Sequence, residues 1–411
     1  MIFLALAFAH PLEKEVTKLV SPAIDEEVLH GVVVKVITPR EVRTVSLGSF
    51  KKNPERSPFE IGTVSAAFTG YLLAEAVHRQ EVTLDDPLSK HVDFPVPDGI
   101  TLRQLATHTS GLPSLPPDFQ PVNPQDPFAS FDEAALAAAA AKVELRDPPG
   151  EIYSPSHLGM ALLGQALAHA AHSSWPELLA QRVSQPLKLK GFGADTPPPI
   201  QGHNADGEPT PEWILSAFGP AGGVHGSPSA LTRFLQQLLT DSGPVTSLVT
   251  LQQLDLGEVG GVALGWNIAP DGTHWQNGQT AGFHCLIAFH PARRHGVVVL
   301  SDTASELVDS IGFNTLALLS DTPVQPLHFR HEVEVNSADL QKLVGTYGDV
   351  NISVEGSSLV LTRHGESLRL TPESATVFFR RTENMVAEFT PNTLILETNG
   401  ARPEVLARAQ P

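Results

Sequence analysis

The chain is short of cysteine, of basic residues and of long apolar runs, and each shortage removes a class of protein. Cys285 is the single cysteine among 411 residues, so no internal disulfide can staple the fold and a disulfide-rich scaffold is excluded. Its place in the apolar run 283–289 marks it as a small core hydrophobe. No stretch reaches 18 consecutive apolar residues, which leaves no candidate for a transmembrane helix. Lys and Arg total 27 against 45 Asp and Glu, a formal net charge of −18. Such a surface repels phosphate backbones and anionic headgroups, so nucleic acid is not an expected partner.

What is present reads as a packed protein. Apolar residues make up 41% and charged residues only 18%, too apolar a balance for wholesale disorder. The N-terminus, MIFLALAFAHP, is an apolar run ending in Ala7-Phe8-Ala9. It fits a small-x-small cleavage site but lacks the positive start of an export signal. A short signal and an apolar N-terminus docked on the body are equally open, and so are an exported and a cytoplasmic location.

Periodicity predicts a first helix over 12–28 with a break or kink at Pro22, then strands over Gly31–Thr38 and Val42–Gly48. From Phe59 the pattern becomes helical through Val77, opened by Gly62-Thr63. Six prolines in 113–130 require an irregular loop. Helices are predicted over 131–143, 158–171, 229–239 and 305–319, and strands over 285–289 and 296–301. A helical middle between terminal strands suggests one α/β unit whose sheet is built from both chain ends. Ser320–Arg330 reads as a linker. Short alternating runs follow at 350–354, 359–361, 368–370 and 377–379, the mark of a small antiparallel sheet or barrel.

Several segments carry a resemblance. FEIGTVSAAFTGYLL (59–73) resembles the nucleophile segment F-x-I-G-S-x-x-K-x-F-T of the serine β-lactamase and penicillin-binding-protein superfamily. VTLDDPL (82–88) and ITLRQLATHTSGL (100–112) are similar to the segments that follow it in the class C β-lactamase and esterase branch. PGEIYSPSHLGMALLG (149–164) looks like the Y-x-N segment, and GPAGGVHGSPSALTRFLQQL (219–238) like the GG-x-x-S-x-x-D-L helix. Residues 265–301 resemble the last core motif, a Lys- or His-x-Gly strand followed by T-x-G-F. The tail from Asp339 resembles a lipocalin-like β-domain. The resemblance implies an α/β (α+β) fold with an antiparallel sheet flanked by helices, an all-helical subdomain and a small C-terminal barrel-like domain. It implies the divisions 1–11 (short signal or frayed start), 12–325, 326–332 (linker) and 333–411.

An acyl-enzyme hydrolase needs a nucleophile, a proton acceptor and an oxyanion hole. The superfamily sets Ser at a helix start with Lys one turn later, on the same helix face. Here those positions hold Thr63 and Ala66. The added methyl of threonine restricts χ1, and alanine has no ionisable group. Thr63 is equally at home as a helix N-cap. Ser65 lies roughly 200° around the helix from Thr63 and is expected to pack rather than react. Tyr153 takes the place of the family's proton shuttle, but without lysine neighbours a phenol of pKa ~10 is a poor base at neutral pH. A plain aromatic of the cleft wall is the competing reading. Pro155 replaces the third residue of that motif and removes a backbone donor. In Trp275-Gln276-Asn277-Gly278, Gln276 stands where the substrate's carboxylate would meet Lys or His. His274 shares its strand face and is the candidate replacement base, roughly 7 Å from the expected spot.

The resemblance places the oxyanion donors at the backbone amides of Thr63 and Gln279. His108, His225, His284 and His290 show no H-x-x-H or carboxylate pairing at ligand spacing, so neither a metal nor another cofactor is expected. His108 reads as a structural residue of its turn. Four replacements together (Thr63, Ala66, Pro155, Gln276) describe a catalytically degenerate hydrolase fold. Its cleft is expected to bind a small peptide or cell-wall-like ligand or to serve regulation. The alternative is a weak hydrolase using Thr63 with Tyr153 or His274. Oligomeric state is not legible in the sequence.

Overall fold

A computed structural model describes residues 11–409 apart from Lys51, Asp195, Asp321, His328 and the segments 382–384 and 399–402. The apolar run 1–10 thus lies outside the described residues. The chain divides into two compact units, 1–327 and 328–411.

The first unit is organised by an eight-stranded antiparallel sheet made from both of its ends. Strands β1 (Gly31–Ile37) and β2 (Val42–Gly48) come from the start, and β3 (Leu254–Asp255), β4 (Gly261–Ala263), β5 (Trp266–Ile268), β6 (His274–Gln279), β7 (His284–His290) and β8 (His295–Ser301) from the end. Their order is β2-β1-β8-β7-β6-β5-β4-β3. Register fixes the join of the two ends: Val32 lies opposite Ser301 and Ile37 opposite Gly296. GVVVKVI in β1 is buried at every position, as expected for a strand covered on both faces. Helix α1 (Pro11–Asp25) packs on β2, α4 (Pro228–Thr240) on β8 and β1, and α5 (Leu307–Leu318) on β8 and β7.

Two more helices carry the middle of the unit, α2 (Ser65–His78) and α3 (His157–Ala170). Nearly all of α2 is buried, the signature of a helix apolar on every side and central to its domain. Phe68 anchors it, with ring centroids 4.4 Å from Phe234 and 4.6 Å from Phe192.

The second unit consists of α6 (Ser337–Leu343) and eight strands: β9 (Gly345–Tyr347), β10 (Val350–Glu355), β11 (Ser358–Arg363), β12 (Glu366–Pro372), β13 (Val377–Arg380), β14 (Met385–Phe389), β15 (Thr393–Thr398) and β16 (Glu404–Ala407). Each pairs antiparallel with the next in sequence. A bridge between Tyr347 and Arg408 brings the first strand to the last and nearly closes a barrel. The Tyr347 hydroxyl donates to Leu343 O, and the Arg408 guanidinium lies 5.5 Å from the Tyr347 ring centroid. This is the small antiparallel barrel that the resemblance implies.

Two elements differ from the sequence pattern. Pro22 does not break α1, which runs through it to Asp25. Lys18, whose carbonyl cannot bond to Pro22 N, and Pro22 are both exposed, so that carbonyl is not shut away from solvent. The helical pattern from Phe59 is shortened at its start: Phe59-Glu60 forms a short strand pairing with His225-Gly226, a 3-10 turn covers the Gly62-Thr63 start signal, and α2 begins at Ser65.

Candidate functional site

Thr63 sits on a 3-10 turn, Gly62–Val64, that leads into α2. From Ser57 through Ala74 it is the one residue that is not buried, so the chain here opens to a cleft only at that side chain. Thr63 makes no capping hydrogen bond at either helix start, a correction to its reading as an N-cap. Ser65 holds the turn: its hydroxyl donates to Gly62 O at 2.7 Å and accepts from Val224 N at 3.0 Å. Two glycines let the turn press on the end of β6. A Cβ on Gly62, whose φ is +51°, would lie 2.7 Å from Gln279 N, and one on Gly278 would lie 2.2 Å from Ile61 O and 2.5 Å from Thr63 N. The backbones of Thr63 and Gln279 therefore share one wall.

That wall belongs to a cavity of about 260 Å³. Thr63, Ser114, His157, Gln279 and Thr280 supply its polar groups, and its apolar lining comes chiefly from Phe128, Trp213, Leu215 and Phe218. Among the described lining residues there is no Lys, Arg, Asp or Glu. Ser114 Oγ and His157 Nδ1 lie 3.0 Å apart, and burial holds His157 below the usual histidine range. Either atom of that pair can be the donor, according to which ring nitrogen of the neutral imidazole carries the proton. Ser156 positions this histidine by capping α3: its hydroxyl accepts from Gly159 N at 2.9 Å and donates to Pro113 O at 2.7 Å. Neither Ser114 nor His157 stands out in the sequence.

The other motif positions lie apart from that cavity. Ala66 is fully buried in the main core. Pro155 is exposed. Half-buried Tyr153 donates its hydroxyl to Asn267 Oδ1 at 3.1 Å, and Asn267 Nδ2 donates to Gln276 Oε1 at 3.0 Å. Burial raises the Tyr153 pKa further. The result is an uncharged chain, tyrosine to asparagine to buried glutamine, with Asn267 as a member that the sequence did not single out.

His274 is corrected as a base for the cleft. Its Nε2 faces Thr250 O at 2.8 Å and its Nδ1 Gly272 O at 3.2 Å, while its ring stacks on Phe289. Both ring nitrogens lie against backbone carbonyls, a neutral imidazole can donate to only one of them, and His274 is not among the residues lining the cavity beside Thr63. His108 has the structural part expected of it: Nδ1 accepts from Ser156 N at 3.2 Å, and full burial lowers its pKa to about 4.

Folding also pairs histidines with carboxylates that sequence spacing kept apart. His284 Nε2 lies 2.9 Å from Asp309, and its Nδ1 lies 2.8 Å from Gln279 Oε1. His225 lies 3.1 Å from Glu212, near Glu60. Glu60, 3% exposed, takes a hydrogen bond from Trp213 N. Burial, with the Glu212 and Asp126 charges nearby, lifts its pKa to about 7. His30, His203 and Asp302 form a further group. Sequence spacing could not show these pairs, because the partners come from distant chain segments.

The sheet, the central helix and the turn facing β6 define a β-lactamase/transpeptidase fold. The β-lactamase family model matches residues 16–320, and the chain belongs to that family. It is 31% identical over 194 residues to the D-alanyl-D-alanine-carboxypeptidase/endopeptidase AmpH of Escherichia coli, covering 45% of this chain and 49% of the relative. It is 30% identical over 225 residues to an Escherichia coli β-lactamase, covering 53% and 54%. The chain thus spans about half the length of the curated relatives it matches. Among solved structures, the octameric penicillin-binding protein homologue from Pyrococcus abyssi superposes with a TM-score of 0.65 at 19% identity, covering 96% of this chain and 99% of that one. A class C β-lactamase mutant gives the same score at 20% identity, covering 75% and 97%. These two likenesses speak for the fold.

Proposed function

We propose that this member of the β-lactamase family is a catalytically degenerate homologue whose cleft binds a small neutral ligand without turning it over. The observation that carries the reading is the uncharged cavity beside Thr63. No lysine amine or carboxylate lines it to take a proton from the threonine hydroxyl. At the motif positions, Ala66 is inert and Gln276 is committed to Asn267. Catalytic groups of such sites act as a unit, and loss of one member removes most of the rate.

The ligand class follows from the same walls. A cavity of about 260 Å³ lies just below the usual range for drug-sized ligands, so it suits a fragment or one end of a longer molecule. The aromatic lining favours an apolar group, and the amides of Thr63 and Gln279 suit a carbonyl oxygen. With no cation to meet a free carboxylate, a cell-wall-like peptide would bind through an amide or ester portion. Intact protein incubated with penicillin is expected to show no mass increase, and nitrocefin no burst. Covalent labelling at Thr63 would falsify the proposal.

One observation favours a second reading, a weak esterase: the Ser114–His157 hydrogen bond inside the same cavity. Hydrolysis of p-nitrophenyl acetate separates the two. The binding reading expects background rates for wild type, Thr63→Ala and Ser114→Ala alike. Loss of a measurable rate in Ser114→Ala alone would favour the esterase.

A further inference from the structure

Where β1 begins and β8 ends, three residues from distant parts of the chain meet. Asp302 follows β8, His30 precedes β1, and His203 lies on the short strand Gly202-His203. One potential ligating atom from each lies within 4.8 Å of the others. His30 Nδ1 lies 2.9 Å from Asp302 Oδ2, and the two imidazoles stack with centroids 4.2 Å apart.

Three features point to a ligand. Asp302 is 1% exposed, yet its Oδ1 has no hydrogen-bond partner among the described residues, a costly arrangement for a buried carboxylate. His203 Nδ1 lies 3.1 Å from Asp302 O. A carbonyl only accepts, so Nδ1 carries the proton and Nε2 keeps the lone pair. This is the outer hydrogen bond that fixes the tautomer of a metal-binding histidine. The His30 side chain, 41% exposed, opens the group to solvent and gives an ion a way in.

We propose that His30, His203 and Asp302 form a binding site for a divalent transition-metal ion of the zinc class. Two imidazoles and one carboxylate are the donors such ions prefer, whereas magnesium and calcium favour oxygen-rich sets. Three protein ligands leave a fourth position for water. The backbone runs from the site toward the cleft wall: His203 N donates to Asp302 O at 2.9 Å and to Gly282 O at 3.1 Å. Gly282 lies two residues beyond Thr280 of the cavity lining.

The test is titration of the metal-stripped full-length protein with Co²⁺, read by its visible d–d absorption, and with Zn²⁺ in competition. The expected result is saturable binding that weakens by at least about tenfold in both His30→Ala and His203→Gln. Glu212→Gln, which alters the other His and carboxylate group, is expected to leave it unchanged. Circular dichroism confirms that each variant is folded, and His30→Ala touches an exposed side chain. Absence of saturable binding in the wild type overturns the proposal. So does binding that survives both histidine substitutions or that is lost in Glu212→Gln.

Discussion

Glu60 is a buried carboxyl at the back of the cleft wall, and its chemistry sets a pH dependence. Its folded pKa of about 7 lies above the ordinary 4.5. Ionisation therefore favours the unfolded chain, and stability is lost as pH climbs from about 4.5 through about 7. Glu60→Gln is expected to gain up to about 3 kcal/mol over wild type at pH 8 and nothing near pH 4, measured by urea unfolding at both pH values. An equal effect at the two would remove Glu60 as the source. Thr63, Ala66 and Gln276 were legible in the sequence because each stands in a local motif. Asn267, Ser114 and Glu60 were not, because their partners lie 114, 43 and 153 residues away. His274 was misread for the related reason that a strand face fixes direction, whereas the carbonyl that captures its ring comes from another segment.

At the scale of elements, α3, α4, α5 and the valine-rich strands could be read within a residue or two, whereas α1 ends three residues early and α2 starts only after its 3-10 turn. The strands of two or three residues, 254–255, 261–263 and 266–268, are too short to show a period. Each of them pairs with a neighbouring strand, β5 with β6, β4 with β5 and β3 with β4. Helix starts matter most where they aim a side chain. Ser156 both caps α3 and ties it to Pro113, so Ser156→Ala is expected to cost about 1–2 kcal/mol in urea unfolding. The same substitution is expected to shift the His157 imidazole resonances in NMR spectra, since the helix start orients that ring. An unchanged His157 signal would mean that α3 is positioned by packing alone.

At the scale of the whole molecule, the two units each have an apolar core of their own, one around Phe68 and Phe234 and the other around Tyr347, Phe378 and Phe389. Scanning calorimetry is expected to resolve two unfolding events, and a fragment spanning 328–411 to keep its β-sheet circular dichroism. A single transition for the full chain, with an unfolded fragment, would make the barrel dependent on the rest. One thiol lies at the centre of the larger unit. Cys285 sits on β7 opposite Gly278 of β6, fully buried, with burial raising its pKa well above the ordinary value. A thiol reagent reaches it only when the core packed over that strand opens. Its labelling rate is therefore a clock for the opening of the core around the central strands β6 and β7 beside Thr63, and a ligand seated in the cavity should slow that clock.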